Sequence, residues 1–499
     1  MAVYAESGTS AGFGSSRARF EEIVGWLDGA DSGGLTHAEL EDQLTVQGRE
    51  LLRQLQQDHL DLRAVREERL AAVVGDDAVA RRHAEPGHAR SLATVFGQVT
   101  VERIAYRAKG ADSRVVADAK LNLPAGKYSH GLRRLAAQGA ARGSFEQAQA
   151  AIAQATGVKV GKRQVEALTA AAAGDVDGFY ATGEYAGVPD GDVLVLTADA
   201  KGIVMRPEAL RAATANKATS AKLVTRLSKG EKRGRKRMAE VVAVYHCTPA
   251  PRTAADVIAT PGQPDTQRQT GPRAVDKWLH ASVADDAADV ITAMFDQACR
   301  VDPDRLRPWV ALVDGNTHQI DLITKQAKAR DPPVTIIVDF VHVLEYVWAA
   351  AWCFYREGDP AAEAWVADQA RDVLAGRAHR VAGRIQRKTA QARLASDKRK
   401  NADACVAYLL AKARYLRYHQ ALAAGWPIVT GVIEGACRHL VKDRMDITGA
   451  RWGLSDAETV LKLRALTSNG DFDAYWTYHL EQEKQRVHAR RYADGVIPT

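Results

Sequence analysis

Four short runs between residues 190 and 340 set the strongest limit on how this chain can fold. DVLVLTADAK (192–201), AEVVAVYHC (239–247), PWVALVDGN (308–316) and VTIIVDF (334–340) are apolar and β-branched, and polar or turn-forming residues bound them. Runs of that length and composition read as buried strands. Helical patterns at DDAADVITAMFDQACRV (285–301) and THQIDLITKQAKAR (317–330) separate the later ones. Strands first, then strand alternating with helix, imply a mixed α/β domain.

The remainder of the 499 residues reads as mostly helical, and that length suits two to four domains. Between Pro360 and Pro427 there is no proline, and Ala, Leu, Arg and Lys dominate, so a helical block is expected. IVTGVIEGACRHLVKDR (428–444) reads as one more amphipathic helix, and 471–499 as a C-terminal tail. Residues 1–35, rich in Gly, Ser and Ala, are expected to be poorly ordered. Thr36 and Glu39 form a capping box that opens a helical region over 36–85. LATVFGQVTVERIAYR (92–107) alternates apolar and polar residues around Gly97 and reads as a β-hairpin. Within 86–185, amphipathic helices at Phe145–Ala155 and Lys162–Ala172 flank Gly157, the pattern of a helix-turn-helix or of any helical hairpin. Lys162, Arg163 and Gln164 open the second helix, where base and phosphate contacts are made when such a helix enters a groove.

Several classes are excluded or disfavoured. There is no uninterrupted apolar run near 18 residues, so no membrane span is expected. The N-terminus lacks a basic segment followed by an apolar one, so no secretory signal is read and a cytoplasmic protein is expected. Cys247, Cys299, Cys353, Cys405 and Cys437 are scattered and odd in number, which argues against a disulfide framework or a structural zinc site and for buried free thiols. The net charge of +7 is modest, but its distribution is uneven. KLVTRLSKGEKRGRKR (222–237) includes Lys232, Arg233, Arg235, Lys236 and Arg237, and residues 371–400 carry ten Lys or Arg against two acids. Such clusters suit phosphate contacts, although solvated loops and helix faces look the same in sequence.

Three acids stand at the ends of expected elements. Asp199 closes the first strand, Asp314 closes the third before Gly315, and Glu434 sits on the late helix. Carboxylates at strand ends can converge at one edge of a sheet. Hard oxygen donors of this kind suit two Mg²⁺ ions, with Mn²⁺ as a substitute, of the sort that assist in-line phosphoryl displacement. Each acid also has a plain reading: a strand end, an Asp-Gly turn, and an ion-pair stripe with Arg438 and Lys442.

The chain resembles insertion-sequence transposases of the ISKra type, related to Mutator-like transposases. TVFGQVTVERIAYR, LNLPAGKYSHGLRRLAA, VLTADAKGIVM, WVALVDGNTHQID, IVDFVHVLEYVW, GVIEGACRHLVKDRMDITGARWGL and NGDFDAYWTYH carry the resemblance, spanning roughly residues 90 to 480. The resemblance implies an RNase H-like core (190–342 and 428–470) interrupted by a helical insertion (343–427). It places the acidic triad at Asp199, Asp314 and Glu434. It also matches Asp339-Phe-Val-His342 to a motif found between the second and third acids. His342 is then expected to contact the scissile phosphate or the acids, and a satisfied structural histidine is the plain alternative. Asp339 rivals Asp314 as the second acid, because it too ends a strand. Arg451-Trp452 is a further candidate, with Trp452 either stacking on a displaced base or serving the core.

The function expected from this reading is a DDE transposase. It would bind the terminal inverted repeats of its element, cut there and join the ends to target DNA, acting on double-stranded DNA in the bacterial nucleoid as at least a homodimer. A transposase-derived DNA-binding regulator and a resolvase-like nuclease are the alternatives.

Overall fold

The computed structural model describes residues 11–218, 235–259, 268–331, 333–447 and 449–499. It divides into two compact units, Met1–Thr182 with Gly470–Thr499, and Gly183–Asn469.

The first unit begins with a helix where order was not expected. Helix α1 (Gly14–Asp28) buries Ile23, and the Ser16 amide donates to the buried Asp58 carboxylate at 2.9 Å. Phe20, Ile23 and Leu27 recur at helical spacing, but flanking glycines and serines obscure the pattern in sequence. Helix α2 (His37–Val65) starts at Thr36 with the expected capping box. Strands β1 (His83–Thr94) and β2 (Gly97–Ala108) form the hairpin, joined through Val95 and Phe96, and β3 (Ala111–Arg114) extends the sheet. The hairpin starts earlier than the alternation suggested, because a register shift between Glu85 and His88 breaks the two-residue period. Helices α3 (His130–Arg142), α4 (Phe145–Thr156) and α5 (Lys162–Ala172) share a core of Leu132, Ala136, Ala148, Ile152, Val160 and Val165. Gly157, at φ +73°, ends α4 in the left-handed region that glycine adopts at least cost.

The second unit is built on a five-stranded sheet. Its strands are β4 (Val193–Val204), β5 (Lys236–Cys247), β6 (Val275–Ser282), β7 (Trp309–Val313) and β8 (Val334–Val338), in the order β8-β7-β4-β5-β6. The β4–β5 and β5–β6 pairs are antiparallel, and β4–β7 and β7–β8 are parallel. The domain is thus mixed α/β with a mixed sheet, as its strand pattern required. Strand β6 was not anticipated: VDKWLHAS carries Asp276, Lys277 and His280, the polar pattern of an edge strand. Helix α6 (Ala287–Val301) packs on β4, β5 and β6, and α7 (Thr317–Arg330) joins β7 to β8.

The proline-poor block is helical, as expected. It contains α9 (Pro360–Leu374), α10 (Ala378–Gln391) and α11 (Ser396–Lys412), and α8 (Phe340–Ala351) precedes it directly after β8. The segment 428–444 is not the single helix its pattern suggested. The Phe340 amide donates to the Ile428 carbonyl, and the Asp339 carboxylate takes the Thr430 amide, so 428–430 stays out of the helix. Helix α12 (Gly431–Ala436) follows, then a π-helical turn (Cys437–Lys442) and a short turn (Asp443–Met445). Helix α13 (Leu454–Asn469) packs against β6.

The expected C-terminal tail is instead helix α14 (Phe472–Val487), part of the first unit. Tyr475 is fully buried and donates its hydroxyl to the Ala172 carbonyl at 2.6 Å, and the buried Arg133–Glu483 pair meets at 2.7 Å. Aromatic residues at 472, 475 and 476 give α14 a face that solvent would not tolerate. Among the described residues no helix is long and apolar enough to cross a membrane.

Candidate active site

Strand register decides where the acids fall. Thr197 of β4 pairs with Leu312 of β7, so Asp199 and Asp314 each stand two residues beyond the last shared pair. Val313 pairs with Val338 of β8, so Asp314 and Asp339 are likewise level. The three aspartates are therefore level on three neighbouring parallel strands, Asp314 and Asp339 just past the carboxyl ends of β7 and β8. Asp199 does not close its strand as the sequence suggested: it lies midway along β4, which stays paired to β5 as far as Val204. From β4 the chain turns toward β5, and from β7 it turns toward β8, so the crevice between Asp199 and Asp314 lies where the connections diverge. Open α/β sheets bind ligands at such a point. Beyond Thr197, the β7-facing side of β4 has no ladder partner among the described residues until Met205, which bridges to Trp452.

The two rival acids differ in what they already hold. The Asp339 carboxylate is 2% exposed and accepts the amides of Val341, His342 and Thr430, each at 3.2 Å. It caps α8 and ties down the segment leading to α12. Asp314 is half-buried, and among the described residues its carboxylate accepts only the Asn316 amide, at 2.7 Å, through its Oδ1. Asp199 is half-buried and accepts the Ala200 amide at 2.6 Å.

Glu434 is exposed on α12, and the Thr430 hydroxyl donates to its Oε1 at 3.3 Å. Thr430 thus links Glu434 to the Asp339 end of the sheet. No ion pair joins Glu434 to Arg438, whose guanidinium instead lies 3.8 Å from Asp443. Asp314 and Glu434 each retain a carboxylate oxygen with no partner among the described residues. The fold brings the three sequence-predicted acids to one end of the sheet. It does not gather them into one cluster: among the described residues no three His, Cys, Asp or Glu side chains are close enough to share an ion.

Residues that the sequence did not single out complete the surroundings. The buried Cys437 thiol lies on the π-helical turn near Asp199; burial first, then the negative charge of Asp199, pushes its pKa up. π-Helical turns recur at functional sites. Glu240, paired with Ala200, is held above the usual carboxylate range by burial; Arg211 pulls it back and Asp199 pushes it further up. Its only signal in sequence is an acid inside an apolar run. Tyr408 of α11 donates its hydroxyl to the Asp314 main-chain carbonyl at 3.0 Å, an interaction with no sequence signal.

His342 is 35% exposed, with Nδ1 3.2 Å from Glu345. Its ring meets Tyr346 and Tyr408 edge-on at 5.5 and 5.9 Å, and those two rings stack at 4.1 Å. It stands on the first turn of α8, and its neighbour Tyr408 is the residue that bonds the Asp314 carbonyl.

The other predicted residues are scattered. Trp452 is 6% exposed, donates its indole N–H to Met445 at 3.0 Å and lies under the Arg444 guanidinium at 4.8 Å. It is a core side chain, and Arg451 beside it is exposed. Lys162 pairs with Glu146 of α4, while Arg163 and Gln164 are exposed at the start of α5. Arg235 and Lys236 are half-buried at the start of β5. Arg237 donates to the carbonyls of Val283 at 2.6 Å, Ala284 at 2.9 Å and Ala209 at 3.3 Å. Lys232 and Arg233 lie outside the described residues. All five cysteines are free, with Cys247, Cys405 and Cys437 buried. No protein-family model matches the sequence, and no curated protein is significantly similar to it.

Proposed function

We propose that this chain is a DDE-type transposase with an RNase H-like core, acting on the ends of an insertion sequence. The observation that carries the reading is the level placement of Asp199 and Asp314 at the divergence point of a β8-β7-β4-β5-β6 sheet. This strand order, with three antiparallel strands followed by two parallel ones, supports the RNase H-like assignment. Glu434 arrives after a helical block, in the place the resemblance to ISKra-type transposases gives the third acid.

The donor set fits a hard divalent cation: every candidate ligand is a carboxylate, and two retain oxygens with no partner among the described residues. Asp199, Asp314 and Glu434 would hold Mg²⁺, or Mn²⁺ in its place. Bound there, two such ions supply activation of the attacking oxygen and charge stabilisation of the leaving one. The chain's own residues then orient. Asp339 fixes the start of α8 and, through Thr430, the approach of Glu434. His342, half-exposed on the first turn of α8, would hydrogen-bond a phosphate.

End recognition is assigned to the α4–α5 pair, whose Arg163 and Gln164 are exposed at the leading end of α5. The partners are double-stranded transposon ends and target DNA in the bacterial nucleoid, and pairing two ends requires at least a dimer. A transposase-derived DNA-binding regulator is the competing reading, favoured by the lack of a closed three-acid cluster among the described residues.

A Mg²⁺-dependent cleavage assay on a duplex carrying the element's inverted repeat separates the two readings. The wild type should cut. Asp199→Asn, Asp314→Asn and Glu434→Gln should each bind the duplex nearly as well and fail to cut. A wild-type chain that binds the repeat without cutting is a regulator.

A further inference from the structure

We propose that Tyr408 is a positioning residue for Asp314, which makes the helical block part of the acid's scaffold rather than an appendage. The inference rests on reading Asp314 as a metal-binding acid. Residues 314–316 connect β7 to α7, and the inner side of this turn is held locally. The Asp314 carboxylate takes the Asn316 amide, and the Asn316 side chain caps α7 by accepting the His318 amide at 3.0 Å.

The outer side is held from α11. The Tyr408 hydroxyl donates to the Asp314 carbonyl at 3.0 Å, and Lys412, one turn further on, donates to the Thr317 hydroxyl at 2.9 Å. Gly315 sits at φ +96°, and a Cβ there would overlap the Tyr408 hydroxyl. The glycine therefore serves two needs at once, the backbone conformation and the close approach of the phenol.

Tyr408 is itself immobilised. Its ring stacks on Tyr346 of α8 at 4.1 Å with a 15° interplanar angle, and α8 begins at the Asp339 cap directly after β8. A chain of interactions thus runs from the end of β8 through Tyr346 and Tyr408 to the main chain of Asp314. The carboxylate's direction depends on that main chain, since a short side chain on a fixed peptide has few rotamers. Removing the hydroxyl should loosen the turn and leave the stacked ring in place.

The test uses the full-length chain and Tyr408→Phe. Hydrogen–deuterium exchange should quicken at the amides of 315–317 by roughly five-fold, the effect on local opening of removing one neutral hydrogen bond. Exchange within α8 and α11 should not change. Binding of Mn²⁺ alone, followed by the electron paramagnetic resonance of the free ion, should weaken by a similar factor. Unchanged exchange at 315–317 would overturn the proposal. A wild-type chain that binds no Mn²⁺ would instead remove the metal-binding reading of Asp314, and exchange would still show whether Tyr408 holds the turn.

Discussion

The Asp339 carboxylate accepts the Thr430 amide at 3.2 Å, joining the start of α8 to the segment that leads into α12, 91 positions further along the chain. The same carboxylate caps α8 through the amides of Val341 and His342. Three donors occupy it, and it is buried. Asp314, one strand away at the same level, has one amide donor and is half-buried. Two aspartates that look alike in sequence thus differ in what they hold, Asp339 as a buried fastener and Asp314 with one carboxylate oxygen that no described residue takes.

This difference predicts separable phenotypes. Asp339→Ala leaves buried amides without an acceptor and should lower unfolding free energy by about 1–3 kcal/mol. Asp314→Asn should leave stability within about 0.5 kcal/mol, because its site is only half-buried, and should abolish cleavage. Urea unfolding and the cleavage assay on both variants check this. If Asp314→Asn cuts normally while Asp339→Asn is inactive at unchanged stability, the second acid is Asp339.

Much of this arrangement was legible in sequence because it follows from period and punctuation. The Asp199 and Asp314 runs are buried on both faces, and their composition announces it. The capping box at Thr36, and the helix bounds on either side of Gly157, follow from local chemistry. What escaped depends on distant partners. β6 was missed because an edge strand carries polar residues. The break at 428–430 is imposed by Phe340 and Asp339, which no window around Thr430 contains. Tyr408 and Cys437 acquire their roles only when α11 and the π-helical turn reach Asp314 and Asp199.

Helix α14 was likewise invisible as a partner, and its position predicts that the first unit cannot be cut at residue 185 without loss. Tyr475 is fully buried, and the Asp175 carboxylate takes His479 at 2.7 Å and Arg486 at 2.9 Å. Tyr475→Ala removes a large buried ring and should cost roughly 3–5 kcal/mol. Truncation after Asn469 should leave a first unit with a broadened or absent unfolding transition, read by circular dichroism in urea. A truncated chain that unfolds cooperatively at the wild-type midpoint would show α14 to be dispensable.

His130 predicts a pH dependence for the same unit. Burial outweighs its hydrogen bond to the Asn122 carbonyl and lowers its pKa to about 4. The folded state therefore disfavours the protonated ring. Stability is full above the unfolded histidine value near 6.5 and declines as the pH falls toward 4, because only the unfolded chain takes up the proton. Allowing for partial exposure, the decline should reach about 2 kcal/mol. His479 and His488 are depressed in the same direction, again chiefly by burial. His130→Asn should flatten the slope of urea-unfolding free energy against pH between 6.5 and 4, and an unaltered slope would assign the dependence to other groups.

The basic run ending at β5 divides into residues with different predicted phenotypes. The guanidinium of Arg237 is committed to three backbone carbonyls, Ala209, Val283 and Ala284, and burial lowers its pKa. Arg237→Ala strands those carbonyls and should lower stability by about 1–3 kcal/mol, with little effect on how DNA affinity varies with salt. Lys232 and Arg233 belong to the same run in sequence, and phosphate binding is the role proposed for them. Each phosphate that a basic side chain neutralises adds about 0.9 to the slope of log affinity against log salt, so Lys232→Ala with Arg233→Ala should make it shallower by roughly 2. Titrations of duplex DNA at several salt concentrations, paired with urea unfolding, give both quantities for each variant. A shallower slope in Arg237→Ala at unchanged stability would mean that its carbonyl partners give way to phosphate when DNA binds. An unchanged slope in the double variant would leave the exposed basic residues of α10, Arg380 and Arg387 among them, as the next phosphate ligands to neutralise.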